Sequence, residues 1–375
     1  MEQARRPALA HHVHRIAPMG AWVLINETWY NSLTWNNRGT VLYDLKRYED
    51  AVADFDKATL LDTYFYDAFC SKGNSLCQLK RYDEAFAAYD KALSIKPDLA
   101  EAWLGRGNVF FALNRDEEAI YHYDKALELK KDFSDVYYNK SFVKLSLGEY
   151  DEGWSLYEWR WKIKSFTLPR NFNQPLWLGH DNIVGKTILV HSEQGFGDTI
   201  QFYRYFSKLK ALGCEIIFET QAPLVSLFKA QKDNCQIISH GDPLPSFGVH
   251  CPLLSLPFAF QTTLKTIPAS VPYLFPPTEK HELLRAKLCG NNKPRIGLAW
   301  SGNRLHKNDI RRSVALETLS PIISEQFEWF SIQKDVRNSD LIYLQEVMLI
   351  KDLSAHLNDF TDTAEIIDEL DLAVC

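Results

Sequence analysis

The chain has no hydrophobic run long enough to cross a membrane. The longest apolar stretch near its start, Ile16 to Ile25, contains Pro18 and Gly20 and is far shorter than the roughly 20 residues of a transmembrane helix. No small-residue cleavage site follows this stretch, which argues against a secretory leader. We therefore expect a cytoplasmic protein without a membrane span. Residues 1–31 are expected to be a poorly ordered N-terminal extension.

Neither sign of charge is in large excess. The 375 residues include 42 Lys and Arg against 48 Asp and Glu, a net charge of -6, so a broad basic surface for nucleic acid is excluded. The seven cysteines are scattered, odd in number and form no CxxC pair. This pattern predicts buried thiols in a reducing compartment, with no metal site and no cofactor.

What the sequence does contain is a repeat of 34 residues. Each unit opens with an aromatic residue and, four residues later, a small one: Trp35 and Gly39, Phe69 and Gly73, Trp103 and Gly107, Tyr137 and Ser141. Further small and aromatic positions recur in step at Ala51, Ala85 and Ala119, at Phe55, Tyr89, Tyr123 and Tyr157, and at Ala58, Ala92 and Ala126. Such spacing predicts paired antiparallel helices that pack closely at the small side chains.

This repeat resembles the tetratricopeptide repeat. Four units are predicted within residues 32–163, the last atypical because Gly153 and Arg160 replace alanines. In that family, asparagines on the first helix of each unit often hold peptide backbone, which implies a groove containing Asn37, Asn74, Asn108 and Asn139 and a polypeptide partner. The alternative is that these side chains only cap or solvate helix surfaces, since asparagine bonds readily to local backbone.

After Trp161 the helical periodicity stops, and Pro169, Pro175 and Gly179 punctuate the chain. The residues that follow predict a strand over Thr187–His191, a glycine turn, a helix over Thr199–Leu212 and a second strand over Glu215–Glu219. A βαβ unit of this kind places its turn at the carboxyl end of a parallel strand, where α/β sheets bind ligands. Gly195 and Gly197 form that turn, but the third glycine and the acidic partner typical of dinucleotide sites are missing.

Longer segments resemble bacterial proteins that join tetratricopeptide repeats to a glycosyltransferase of the GT-B type, related to heptosyltransferases and more remotely to O-GlcNAc transferases. The resemblance is carried by residues 158–161, 185–202, 251–257 and 296–303. It implies a multidomain chain, an all-α repeat array followed by two Rossmann-like α/β halves, with an acceptor-side half at 164–290 and a donor-side half at 291–375.

The same resemblance implies site residues. Asp198 would be the catalytic base or the group that positions the acceptor; the alternative is that it caps the helix predicted to start at Thr199. The nucleotide sugar, a co-substrate rather than a cofactor, would be held by a donor-binding set: Ser301, Gly302, Asn303, Lys307, Arg312 and Gln333.

The donor-side half is short of the roughly 150 residues that such a half needs. In the resembling enzymes, the strand predicted over Asp371–Cys375 is followed by another donor-binding segment. We therefore expect an incomplete donor site, an open sheet edge at this strand, and little or no transferase activity unless the segment is supplied.

Two functions remain open: an impaired glycosyltransferase, or a non-enzymatic scaffold that binds peptides. A dehydrogenase is disfavoured by the incomplete glycine motif.

Overall fold

A computed structural model describes residues 31–163, 170–231, 234–277, 288, 293–304, 309–346 and 349–375. The chain divides into two compact units, residues 1–169 and 170–375. The predictions made for residues 1–30, Cys289 and Lys307 lie outside the described residues. None of the described helices combines the length and apolar character needed to cross a bilayer.

The first unit consists of four helix pairs, as the 34-residue repeat predicts. The pairs are α1 (Ser32–Asp44) with α2 (Tyr48–Leu61), α3 (Tyr66–Gln78) with α4 (Tyr82–Ile95), α5 (Ala100–Ala112) with α6 (Asp116–Leu129), and α7 (Ser134–Ser146) with α8 (Tyr150–Tyr157). The last helix is the shortest and runs into a 3₁₀ turn, Glu158–Lys162. Arg160, which occupies the position of a small alanine in the other units, lies in that turn and is fully buried beside Glu158.

In the first three pairs, a glycine of the first helix contacts an aromatic ring of the second helix. A Cβ atom added to Gly73 would lie 2.6 Å from the Tyr89 ring, and one added to Gly107 would lie 2.5 Å from the Tyr123 ring. Gly39 faces Phe55 in the same way. Only glycine leaves room for this contact, and the two helices can therefore approach closely.

A residue in the left-handed conformation ends each first helix. These residues again recur every 34 positions and have φ angles between +57° and +79°: Lys46, Lys80, Asn114 and Gly148. This conformation closes a helix by satisfying its last carbonyl groups. Since only the last of the four is glycine, the turn positions were not apparent from the sequence.

Ion pairs connect successive helix pairs. Lys72 contacts Asp56 at 2.6 Å, Arg106 contacts Asp90 at 3.1 Å, and Lys140 contacts Asp124 at 2.7 Å. Each pair joins a first helix to the second helix of the preceding unit. Partly exposed pairs stabilise by no more than about 1 kcal/mol each, so their main effect is to favour one register between units.

The second unit contains two parallel sheets of four strands. The first sheet has the order β3-β2-β1-β4, with β1 Thr187–His191, β2 Glu215–Thr220, β3 Cys235–Ser239 and β4 Val249–Pro252. The second has the order β7-β6-β5-β8, with β5 Arg295–Leu298, β6 Glu328–Ser331, β7 Ile350–Asp352 and β8 Leu372–Val374. In both sheets the first strand in sequence is an inner strand, the next two are added on one side of it, and the fourth is added on the other side. This arrangement is compatible with an α/β fold.

Helices connect these strands. In chain order they are α9 Phe196–Phe202, α10 Phe206–Ala211, α11 Ala222–Lys229, α12 Leu256–Ala259, α13 Asp309–Arg312, α14 Asn338–Glu346 and α15 Phe360–Asp368. The helix predicted over Thr199–Leu212 is wrong in two respects: it begins at Phe196, and a 3₁₀ turn at Tyr203–Tyr205 divides it. The rings of Tyr203 and Phe206 stack at 4.4 Å beneath the sheet.

The two sheets meet within this unit. Helix α11 packs against α15, and the ring of Phe196, at the start of α9, lies 5.3 Å from that of Phe360, at the start of α15. Helices α9 and α15 both begin on the carboxyl side of their sheets. At the far edge of the second sheet, β8 pairs with β5 and leaves Leu372 exposed, as expected for an open edge.

The cysteines are less uniformly buried than predicted. Cys70 and Cys251 are buried, whereas Cys375 is exposed. The prediction that all seven would be buried thiols is therefore wrong at Cys375, because β8 is an edge strand.

Replacing Gly73 or Gly107 by alanine should destabilise the repeat unit, although alanine is normally the better helix former. The methyl group must displace the buried ring of Tyr89 or Tyr123, which costs roughly 1–3 kcal/mol. Urea unfolding of the full chain, followed by far-ultraviolet circular dichroism, measures the loss. Ser71→Ala on the same helix is the control and should shift the unfolding free energy by less than about 0.5 kcal/mol; equal stabilities for the glycine variants and this control would contradict the packing argument.

His122 makes the stability of the first unit dependent on pH. Its ring stacks between Trp103, at 5.3 Å, and Phe110, at 4.8 Å. Burial, together with the nearby Arg106 guanidinium, lowers the pKa of His122 to about 4. The unfolded chain binds the proton near pH 6.5, so stability should fall as the pH drops from 6.5 toward 4, by at most about 3 kcal/mol. His122→Phe should flatten this part of the urea-unfolding profile; a slope equal to that of the unchanged chain would refute the assignment.

Candidate functional site

Three of the four predicted groove asparagines lie on successive first helices that contact one another. Asn74, Asn108 and Asn139 are half-buried on α3, α5 and α7, and we call this surface the asparagine face. The Asn139 Nδ2 donates to the Asn108 Oδ1 over 2.9 Å, so two adjacent repeats are joined side chain to side chain. Asn37 is exposed on α1 and makes no such bond among the described residues.

Tyrosine hydroxyls hold two of these asparagines. Tyr89 Oη donates to Asn74 Oδ1 at 2.8 Å, and Tyr123 Oη donates to Asn108 Oδ1 at 2.9 Å. The asparagines therefore bond to a buried side chain of the second helix rather than to local backbone. Sequence reasoning missed this pairing. The sequence feature that could have revealed it is a tyrosine fifteen residues after each of these two asparagines. The first repeat has Thr40 and Phe55 at the corresponding positions.

The glycine turn lies at the carboxyl end of β1, as the βαβ pattern predicts. Gln221, which follows β2, donates from Nε2 to the Gln194 carbonyl at 2.7 Å and accepts from the Thr199 hydroxyl at 3.1 Å. The turn is thus tied to the neighbouring strand. Gly195 and Gly197 are exposed, and a Cβ atom at Gly197 would meet nothing within 4 Å.

Asp198 lies in the first turn of α9 and does not cap a helix at Thr199. The helix begins three residues before Thr199, and the Asp198 Oδ2 accepts the backbone N–H of Gly195 at 3.2 Å. This bond fixes the carboxylate at the mouth of the turn. Its other oxygen makes no hydrogen bond among the described residues, so the predicted cap is corrected while the carboxylate keeps an acceptor available.

A second polar cluster lies beyond β1. Ser192 Oγ and His240 Nε2 are 2.9 Å apart, where the chain leaves β1 and β3. Farther along the same edge, Arg170 forms an ion pair with the buried Glu219 and lies 4.8 Å from the Phe172 ring. These contacts make the carboxyl edge of the first sheet polar.

At the carboxyl end of β5, the side chain of Gln333 supports the predicted donor turn. Its Oε1 accepts the backbone N–H groups of Trp300, at 3.2 Å, and Ser301, at 3.0 Å. Gly302 N–H donates to Ser313 Oγ at 2.9 Å. The resemblance implies that Gln333 lies near the nucleotide; in the structure its side-chain oxygen binds the turn after β5.

Arginine side chains surround this turn. A Cβ atom at Gly302 would lie 2.6 Å from the Arg312 guanidinium, so glycine allows that cation to lie over the backbone. A neighbouring open pocket of about 420 Å³ is lined by Arg304, Asp309, Arg337, Asn338 and Ser339. Of the predicted donor set, the structure places Ser301, Gly302, Arg312 and Gln333 around this one turn, while Asn303 is exposed beside it.

Asp309 balances part of this positive charge. It accepts from Ser313 Oγ at 2.6 Å and pairs with Arg337. The hydrogen bond from Ser313 and the charge of Arg337 lower the pKa of Asp309. Arg304, Arg312 and Arg337 exceed this single carboxylate, so the cleft favours anions. Arg304 and Arg337 were missed from the sequence, which gave no motif for them beyond their position after β5 and β6.

Within the described residues, no three His, Cys, Asp or Glu side chains are grouped so that they could hold a metal ion. The candidate sites are built from amides, hydroxyls, guanidinium groups and the carboxylates of Asp198, Glu219 and Asp309.

Comparison with known proteins identifies the first unit. The "TPR repeat" family model matches residues 73–114 and 107–148, and the "Tetratricopeptide repeat" model matches residues 32–64. No curated protein matches the chain significantly.

Among solved structures, the chain is similar to MamA, with 21% identity over 37% of this chain and 81% of MamA and a TM-score of 0.33. It is similar to the first TPR of Spaghetti (RPAP3) bound to the HSP90 peptide SRMEEVD, at 21% identity over 31% of this chain and 93% of the other, with a TM-score of 0.30. YrrB, a TPR protein with an unusual peptide-binding site, shares 22% identity over 38% of this chain and 74% of its own, with a TM-score of 0.31. From the family matches and the four helix pairs, we conclude that the first unit consists of tetratricopeptide repeats.

Proposed function

We propose that the chain binds an extended segment of a polypeptide partner on the asparagine face. The observation that carries this proposal is the row of half-buried amides at Asn74, Asn108 and Asn139 on three consecutive first helices. Buried tyrosines hold the first two, and Asn108 holds the third. Side-chain amides at regular intervals can bond to peptide backbone irrespective of its sequence. Asn37, without such a partner among the described residues, contributes less.

Replacing Asn74 and Asn108 together by alanine should weaken peptide binding roughly tenfold or more, since two hydrogen bonds of about 1 kcal/mol each are lost. The probe is a twelve-residue peptide selected on the full chain from a random displayed library, and fluorescence anisotropy gives its dissociation constant. Lys91→Ala with Glu117→Ala, two exposed changes on second helices that leave the net charge unchanged, is the matched control. If the asparagine variant binds as tightly as this control, the asparagine face is not the peptide site.

We further infer that the second unit is a GT-B type glycosyltransferase-like module that binds a nucleotide sugar. Support comes from the shared strand order of its two sheets and from the contact of Phe196 with Phe360, which brings the carboxyl sides of the sheets together. Ligands of parallel α/β sheets bind at such edges. Gly197 is crowded by none of the described neighbours, which leaves space for a ligand to approach the turn.

In this proposal the two edges have different roles. Asp198, with one oxygen held by Gly195 N–H, would accept a proton from the attacking hydroxyl of an acceptor. Ser301, Gly302 and Asn303 would face the donor, with Gln333 holding their turn. Arg312 and Arg337, together with Lys307 from outside the described residues, would offset the charge of the departing diphosphate.

The double change Arg312→Ala and Arg337→Ala should weaken binding of uridine or guanosine diphosphate by about tenfold or more, because both cations are expected to contact phosphate. Isothermal titration calorimetry on the full chain measures the affinity. Lys293→Ala, at the opposite end of β5, is the control and should bind as the unchanged chain does. Equal affinities for the arginine variant and the control would remove this cleft as a phosphate site, and the peptide-binding proposal would be unaffected.

A further inference from the structure

The buried tyrosines determine which end of each asparagine amide is available. The Tyr89 and Tyr123 rings are at most 1% exposed and are wedged against Gly73 and Gly107, so their hydroxyls have fixed positions. Burial raises the pKa of both tyrosines, so the hydroxyls stay protonated, and each donates to the oxygen of its asparagine. The oxygen of each asparagine is turned toward its tyrosine.

The contact between the asparagines themselves gives the row a direction. Asn108 Oδ1 accepts two hydrogen bonds, from Tyr123 Oη and from Asn139 Nδ2, which saturates its lone pairs. Among the described residues, the amide nitrogens of Asn74 and Asn108 make no hydrogen bond, and neither does the oxygen of Asn139. The face thus presents donors in the second and third repeats and an acceptor in the fourth.

We propose that Tyr89 and Tyr123 are positioning residues that make the asparagine face bind peptide carbonyl oxygens at Asn74 and Asn108 and a peptide N–H at Asn139. This inference rests on the proposed peptide binding and specifies its chemistry. A backbone carbonyl is the group that complements an amide donor, and a backbone N–H complements the Asn139 oxygen. Proline has no N–H, so the partner should exclude proline opposite Asn139 and tolerate it opposite Asn74 and Asn108.

The first repeat shows that the hydroxyl is not needed for packing. Phe55 lies against Gly39 as Tyr89 lies against Gly73, and the position of the asparagine is taken by Thr40. In the fourth repeat, Tyr157 has Phe142 in that position. Hydroxyl and asparagine are joined in the two central repeats, and removing the hydroxyl alone should leave the helix pair intact.

The first experiment compares three double variants with the selected twelve-residue peptide as probe. Tyr89→Phe with Tyr123→Phe should weaken binding about fivefold, because the freed amides can rotate away. Asn74→Asp with Asn108→Asp keeps the shape and the acceptor oxygen but loses the donors, and it should lose as much affinity as the corresponding alanine variant. Tyr157→Phe is the matched control and should bind normally. Circular dichroism checks that all variants keep their helical content.

The second experiment methylates the peptide backbone nitrogens one at a time. A single N-methyl group should abolish binding at the position facing Asn139, and methylation of the residues whose carbonyls face Asn74 and Asn108 should be tolerated. Full affinity of the Asp variant, beside a loss in the alanine variant, would overturn the inference while leaving peptide binding in place. Normal binding by the alanine variant would instead overturn the proposed function, and this inference with it.

Discussion

The contact of an aromatic ring with a glycine backbone determines the architecture of the first unit. Phe55, Tyr89 and Tyr123 each fill the space that a side chain at the facing glycine would occupy, and the resulting close approach brings the first helices of successive repeats into contact. The Tyr89 ring also packs against Gly105 of the next first helix, so this contact joins successive repeats as well as the two helices of one pair. The same ring also supplies the hydroxyl that orients Asn74 and Asn108, so packing and proposed recognition depend on one side chain.

Much of this unit could be predicted from the sequence because its contacts are local and recur at a fixed interval. The helix pairs and the small–aromatic packing positions follow from the 34-residue register. The turns at Lys46 and Lys80 could not be predicted, because lysine has no preference for the left-handed conformation that the helix end imposes there. The tyrosine–asparagine hydrogen bonds could not be predicted either, since they join two helices and depend on the orientation of both side chains.

In the second unit, strands β1 and β2 were predictable as short apolar runs, whereas β3, β4, β7 and the polar surroundings of the sheet edges were not. Arg337 and Arg304 lie beside Arg312 only because separate loops after β5 and β6 end at the same sheet edge. The strand order brings these loops to the same edge, and no local sequence pattern encodes that order. The start of α9 was misplaced for a similar reason: Gly195 caps it through backbone geometry, with the Asp198 side chain bonding back from within the first turn.

Gly302 and Gly197 differ in what lies beside their backbones. At Gly302 an added Cβ atom would lie 2.6 Å from the Arg312 guanidinium, so a larger residue would displace the exposed end of this side chain. At Gly197 the backbone is not left-handed and no described atom lies within 4 Å of an added Cβ, so packing gives no reason for glycine. Glycine costs about 1 kcal/mol relative to alanine inside a helix, and no packing contact at Gly197 offsets that cost. The turn after β1 therefore has open space beside its backbone, as the proposed ligand binding requires, whereas glycine in the turn after β5 allows a cation to lie over the backbone.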